Sequence, residues 1–139
     1  MYCIDAWKPY PDYRDFTSVE HLEGDYVQAV MRLSKYRVEL IRAMSAEAVK
    51  QFTDGSLDFV YIDANHDSPY IEYDIKHWSP KVRSGGIVAG HDYITVHSDV
   101  IQAVDSYVAS HNIHPLYLVG KKGETDVADT IFSWFWVVP

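Results

Sequence analysis

The chain has 139 residues, of which 47% are hydrophobic and 23% charged, proportions that predict one globular domain over residues 1–139 and argue against long disordered tails. Its net charge of −8, with no cluster of Lys or Arg beyond Lys121-Lys122, disfavours a protein that grips a nucleic-acid backbone. No run of about 18 apolar residues and no basic-then-apolar leader is present, so the expectation is a cytoplasmic protein with no membrane partner.

Tyr2 to Trp7 reads as a short strand stopped by Pro9 and Pro11, with Asp5 near its carboxyl end. The lone Cys3 lies inside it and reads as a small packing residue. Thr17-Ser18-Val19-Glu20 fits a capping box with Thr17 as cap. The helix it opens is expected to break at Gly24 and to resume through Val27, Val30 and Met31. Arg37 to Arg42 alternates as a strand, and Ser45 is the expected cap of a helix through Phe52, ended by Asp54-Gly55.

Leu57 to Ile62 is a continuous apolar run and predicts a fully buried strand. It runs straight into Asp63, Asn65, His66 and Asp67. Ser68-Pro69 then starts a helix with Ile71, Ile75 and Trp78 on one face, and Asp74 on that same face is expected to be partly buried. After the Ser84-Gly85-Gly86 turn, the short strand Ile87–Gly90 delivers His91, Asp92 and Tyr93. A helix over Asp99–Ser110, a strand over His114–Val119 and a last strand from Ile131 complete an α/β, Rossmann-like three-layer sandwich, mostly parallel, with a C-terminal antiparallel hairpin.

Two adjacent strand ends thus each deliver an acid and a histidine, and the carboxyl edge of a parallel sheet is where open α/β proteins build binding crevices. Asp63 and Asp92 with His66 and His91 can hold a divalent cation such as Mg²⁺, or can position and deprotonate a substrate. Taken singly, each acid better suits a helix cap or a Lys/Arg pair, and it is the grouping of two acids with two histidines that raises the case for a site. His21, His77, His97, His111 and His114 read as surface residues. Trp134 and Trp136 read as packing, and Trp7, Tyr10 and Tyr13 as either pocket lining or local cover.

The segment IDANHDSPYIEYDIKHWSPKVRSGGIVAGHDY, with VELIRAMSAEAVKQFTDGSLDFVYID before it, resembles the class I S-adenosylmethionine-dependent methyltransferases, most closely the small-molecule type called methyltransferase domain family 24. The resemblance implies that Asp5 binds the cofactor ribose, that Met44 and Ser45 flank its adenine, and that Asp63 belongs to the cofactor site as well. By similarity to metal-dependent relatives, Asp63 and Asp92 would be metal ligands, with His91 or water in place of a third ligand where Tyr93 stands. His66 would fall at the general base, beside Asp63 as the second catalytic residue. The implied activity is transfer of a methyl group from S-adenosylmethionine to a small-molecule hydroxyl, with metal assistance. The family's first strand and its glycine-rich loop have no counterpart before Tyr2. The neighbouring strands would then pair directly, receive a strand from a second copy or another chain, or belong to a longer protein. A non-catalytic partner subunit assembling through its strand edges, as a homodimer for example, is the rival reading. A metal-dependent hydrolase built on the same acids and histidines ranks last, for want of a recognisable ligand spacing.

Overall fold

The computed structural model describes residues 1–10, 18–120 and 132–139. Thr17, Tyr13, Lys121-Lys122 and Ile131 therefore lie outside the described residues. The chain divides into two compact units, Met1–Gln51 and Phe52–Pro139, and each is taken by itself.

In the first unit, β1 (Tyr2–Asp5) and β2 (Glu39–Arg42) pair in parallel, with Tyr2 opposite Glu39 and Asp5 opposite Arg42. The helix α1 (Val19–Leu33) connects them, and Ser18 caps it, its side-chain oxygen accepting the His21 amide at 3.2 Å. Gly24 does not break this helix. A mid-helix glycine costs only about 1 kcal/mol relative to alanine, and the ion pair between Glu23 and Arg42 ties the same turn to β2. Arg42 also lies over the Tyr26 ring at 4.5 Å, and Trp7 packs edge-on against that ring at 4.9 Å. The apolar stripe is not what anchors α1: Val27, Val30 and Met31 are all exposed and the helix buries no residue. After β2, α2 (Ser45–Ala48) is a single turn followed by a 3₁₀ turn over Val49–Gln51. Met44, not Ser45, occupies its cap position, and it makes no side-chain cap bond.

In the second unit, β3 (Leu57–Ile62), β4 (Val82–Tyr93), β6 (Phe132–Val137) and β5 (Tyr117–Val119) form a sheet in the spatial order β3-β4-β6-β5. The β3–β4 pair is parallel; β6 runs antiparallel to both β4 and β5. The C-terminal antiparallel hairpin is therefore as expected. Strand β4 is much longer than the expected Ile87–Gly90, because the two glycines serve it rather than end it. Gly85 adopts φ +74°, and a Cβ on Gly86 would stand 2.7 Å from the Asp58 carbonyl oxygen, too close for any side chain.

One face of this sheet presents Ile62, Val88, Trp134 and Trp136, all buried. The helices α3 (Tyr70–Trp78) and α4 (Ser98–Ser110) bury Ile71, Ile75, Trp78, Val100, Val104 and Val108, and Tyr107 stacks on Trp136 at 5.6 Å. Asp74 on α3 is 5% exposed, more deeply buried than its position suggests. The cap of α3 falls on Pro69, one residue later than expected, and Ser68 instead donates its hydroxyl to Glu72 at 2.7 Å. The expectation of a fully buried β3 is wrong. Phe59 and Tyr61 are about half exposed and only Ile62 is buried, because β3 is the edge of its sheet and α3 and α4 pack on one face.

Candidate functional site

Register carries the two strand ends to one place. Ile62 stands opposite Gly90 in the parallel ladder, so Asp63 leaves β3 level with His91, one residue before Asp92. A Cβ at Gly90 would sit 2.6 Å from the Ile62 carbonyl oxygen, and this close approach lets the two edges converge. Beyond Gly90 the β4–β6 register shifts before Tyr93 pairs with Phe132. Within that irregularity Asp92 takes φ +58°, a left-handed conformation costly to a residue with a Cβ. The Trp134 indole N–H donates to the His91 carbonyl at 3.1 Å and holds the distorted segment from the core side.

His66 returns to these acids through a local turn. The Asn65 side-chain oxygen accepts the Asp67 amide at 2.9 Å with Asn65 almost wholly buried, an Asx turn that reverses the chain. Asp99 on α4 accepts the Ser68 amide at 3.0 Å and fixes the far side of that turn. The result is a compact group: His66 Nε2 lies 2.8 Å from Asp92 Oδ2 and 3.6 Å from Asp63 Oδ1. One ligating atom from each of Asp63, His66 and Asp92 falls within 4.8 Å of the others. Asp92 and His66 are largely buried at 13% and 18% side-chain exposure, whereas Asp63 is half open to solvent at 49%.

His91 is beside this group and not inside it, its Nδ1 3.4 Å from the Asp92 carboxylate. His97 is the residue that sequence reasoning passed over. It comes from the 3₁₀ turn Thr95–His97 and packs on the His66 ring with centroids 4.6 Å apart. Its Nδ1 is buried with no hydrogen-bond partner among the described residues. The remaining histidines serve local contacts, His77 stacking on Tyr73, His111 on Tyr107, His21 facing Asp25 and His114 facing Asn112.

Tyr93 is committed elsewhere. Its hydroxyl donates to Asp105 at 2.8 Å, and burial together with that carboxylate pushes its pKa up to about 12, so it is a neutral donor rather than an anionic ligand. A folded-state pKa above the ordinary value of 10 favours the protonated, folded form. The stability this contributes is therefore complete below pH 10 and is lost as pH rises towards 12. Tyr93→Phe should flatten that alkaline fall in a series of denaturant melts, and an unchanged slope would reject it. Burial also pushes the Cys3 thiol up, with Asp5 adding to the effect, so the reactive thiolate is disfavoured there.

Of the residues matched to a cofactor, Asp5, Met44 and Ser45 lie in the first unit and Asp63 in the second. Asp5 ends β1 with its carboxylate at the surface, Oδ1 accepting the Trp7 amide at 2.7 Å. Met44 and Ser45 follow β2 at the start of α2, where the Met44 carbonyl accepts the amides of Glu47 and Ala48. A strand-end carboxylate with an uncommitted oxygen suits a pair of ribose hydroxyls by its donor-acceptor chemistry.

Comparison with known proteins bears on this arrangement. A family model described as a methyltransferase domain matches residues 1–93. A Streptococcus mutans protein proposed to be a methyltransferase, solved in complex with SAH, is 12% identical at a TM-score of 0.60, the match covering 96% of this chain and 73% of that one. A precorrin-6y C5,15-methyltransferase from Geobacter metallireducens gives a TM-score of 0.66 at 14% identity, over 99% of this chain and 66% of that one. The O-methyltransferase NovP gives 0.58 at 15% identity, over 99% and 59%. The chain thus spans roughly two thirds of the length of these structures, and at such identities the likeness establishes a shared Rossmann-like α/β fold. A search of curated proteins finds no match. Among the described residues, no helix is long and apolar enough to cross a membrane.

Proposed function

Since the chain belongs to the methyltransferase domain family, as the match over residues 1–93 shows, we propose that it serves methyl transfer from S-adenosylmethionine to the hydroxyl of a small molecule. The observation that carries this reading is His66 Nε2 held between two carboxylates, 2.8 Å from Asp92 and 3.6 Å from Asp63, at the open end of two parallel strands.

S-adenosylmethionine, when bound, supplies the methyl group, its sulfur keeping the bonding electron pair as the methyl carbon joins the acceptor oxygen. What remains is the acceptor's proton. His66 takes it at Nε2, and the carboxylates of Asp92 and Asp63 stabilise the imidazolium that results. Asp92 is the orienting partner, being the nearer and more buried of the two. Asp63, half exposed, faces the solvent side from which an acceptor arrives. Asp5, Met44 and Ser45 are the residues proposed to bind ribose and adenine.

A divalent cation fits the donor set by its chemistry, since two carboxylate oxygens and an imidazole nitrogen lie within 4.8 Å. Asp63 and Asp92 would hold a hard cation such as Mg²⁺, whose charge lowers the pKa of a neighbouring hydroxyl. Tyr93 would not contribute, because Asp105 holds its hydroxyl.

Calorimetric titration of S-adenosylhomocysteine into the 139-residue chain tests the cofactor assignment. Saturable binding weakened by Asp5→Ala is expected; no binding to the folded chain would remove the basis for methyl transfer.

A further inference from the structure

Strand residues alternate between the two faces of a sheet. In the second unit the face against α4 carries Val88, Trp134 and Trp136. Register sets the composition of the opposite face: Tyr61, Ala89, Phe135 and Tyr117 stand in one row across β3, β4, β6 and β5, and Phe59, Ile87 and Val137 in the next. Phe59 stacks with Tyr61 at 6.3 Å, and Tyr117 with Phe135 at 4.6 Å. The Tyr61 side chain spans β4, its hydroxyl 3.1 Å from the Ser133 hydroxyl on β6. The rows therefore join into one aromatic surface four strands wide, about 14 Å across at the usual strand spacing.

This surface is open to water. Phe59, Tyr61, Tyr117, Val119 and Val137 are 43–58% exposed. A half-exposed aromatic side chain leaves about 100 Å² in water, and with the part-exposed Ile87 and Phe135 the apolar patch comes to about 500–600 Å², the upper end of what the largest patch on a monomer reaches. Each side of a stable protein interface contributes about 800 Å², of which the rim is polar. Burying the face would orphan no charge. No Asp, Glu, Lys or Arg stands on either row, Tyr61 and Ser133 satisfy each other, and Asp58, next to Phe59 in the chain, already pairs with Arg83 at 2.8 Å.

We infer that the chain forms a two-fold dimer in which this sheet face of one copy packs on the same face of a second. An apolar surface without charge selects an apolar occupant, and a second copy presents one of equal size, with an area close to what a stable dimer needs. Two-fold contacts of this self-complementary kind are the commonest in homo-oligomers. Two sheets packed face to face, about 10 Å apart, interleave their side chains into a common core. A charged partner such as a nucleic acid or an anionic lipid surface finds no complementary charge here, in keeping with the net charge of −8. The contact uses none of Asp63, His66 and Asp92, and it does not rest on methyl transfer.

Sedimentation equilibrium of the 139-residue chain is the test. The expected mass is twice the 16.0 kDa of one chain, falling towards one chain on dilution, with a melting temperature that rises with concentration. Phe59→Lys and Val119→Lys place a charge on the two edge strands of the face, at side chains already exposed, and circular dichroism should show the fold unchanged. Each would bury an unpaired ammonium in an apolar contact and should raise the dissociation constant at least about 30-fold. If one of the two does not fold, the other decides. Val27→Lys, on the exposed stripe of α1, should leave the dimer intact. The inference is overturned if the mass stays at 16.0 kDa at every concentration, which would give the face to a different apolar occupant. It is overturned equally if the folded lysine variants of the face dimerise like the parent chain, or if Val27→Lys dissociates the dimer, which would move the contact to α1.

Discussion

Replacing His66 by alanine should lower the turnover of methyl transfer by about 10²–10⁴-fold, the usual worth of a positioned acid or base, while affinity for S-adenosylhomocysteine stays within about twofold. The split follows from the roles proposed: His66 Nε2, 2.8 Å from Asp92 Oδ2 and 3.6 Å from Asp63 Oδ1, takes the proton, while ribose and adenine are assigned to Asp5, Met44 and Ser45. Asp92→Asn should cost nearly as much, because the amide removes the charge that favours the imidazolium. The double variant should lose little more than the worse single one, since the two side chains act as a unit. Formation of S-adenosylhomocysteine with a hydroxyl acceptor in excess is the readout. Full turnover in His66→Ala would remove the proton-acceptor role, and additive losses would separate His66 from Asp92.

The parts of this site that were legible in the sequence are those carried by strands. LDFVYI running into Asp63 and IVAG running into His91-Asp92 announce a change from buried strand to polar edge, and a parallel register does the rest. What the sequence does not carry is coverage. An apolar run is the same whether helices cover both faces of its strand or one, and so the exposure of Phe59 and Tyr61 was not readable. The glycine pair was misread for a related reason: Gly85-Gly86 has turn chemistry, but it lies inside β4 because only glycine fits against the Asp58 carbonyl. His97 was invisible because its contact with His66 spans thirty-one positions of chain and depends on where a one-turn 3₁₀ segment places it. Its one sequence signal is weak: a second histidine soon after the second strand-end acid.

Trp134→Ala should destabilise the protein by about 3–5 kcal/mol, the range for deleting a large aromatic from a packed core, and should lower the melting temperature by on the order of 10–20 °C. Trp134 is wholly buried in the central strand β6, stacks on Trp136 at 5.2 Å, and lies against Gly90, where a Cβ would clash with its ring. Collapse cannot refill so large a void when β4 and β5 flank the same strand. Trp134→Phe separates packing from clamping. It retains most of the aromatic volume, but it leaves the His91 carbonyl without the indole N–H 3.1 Å away. The lost bond costs about 0.5–1.5 kcal/mol. The larger consequence is at the site, since the bond restrains the segment on which Asp92 holds φ +58°. Displacements of about 1 Å in reacting groups cost up to about 10²-fold in rate. Trp134→Phe should therefore lose more in turnover than in stability, measured by kinetics and thermal melts on the same sample. Equal small effects on both would mean that Trp134 serves packing alone, and that Asp92 keeps its strained backbone through the strand register without the indole.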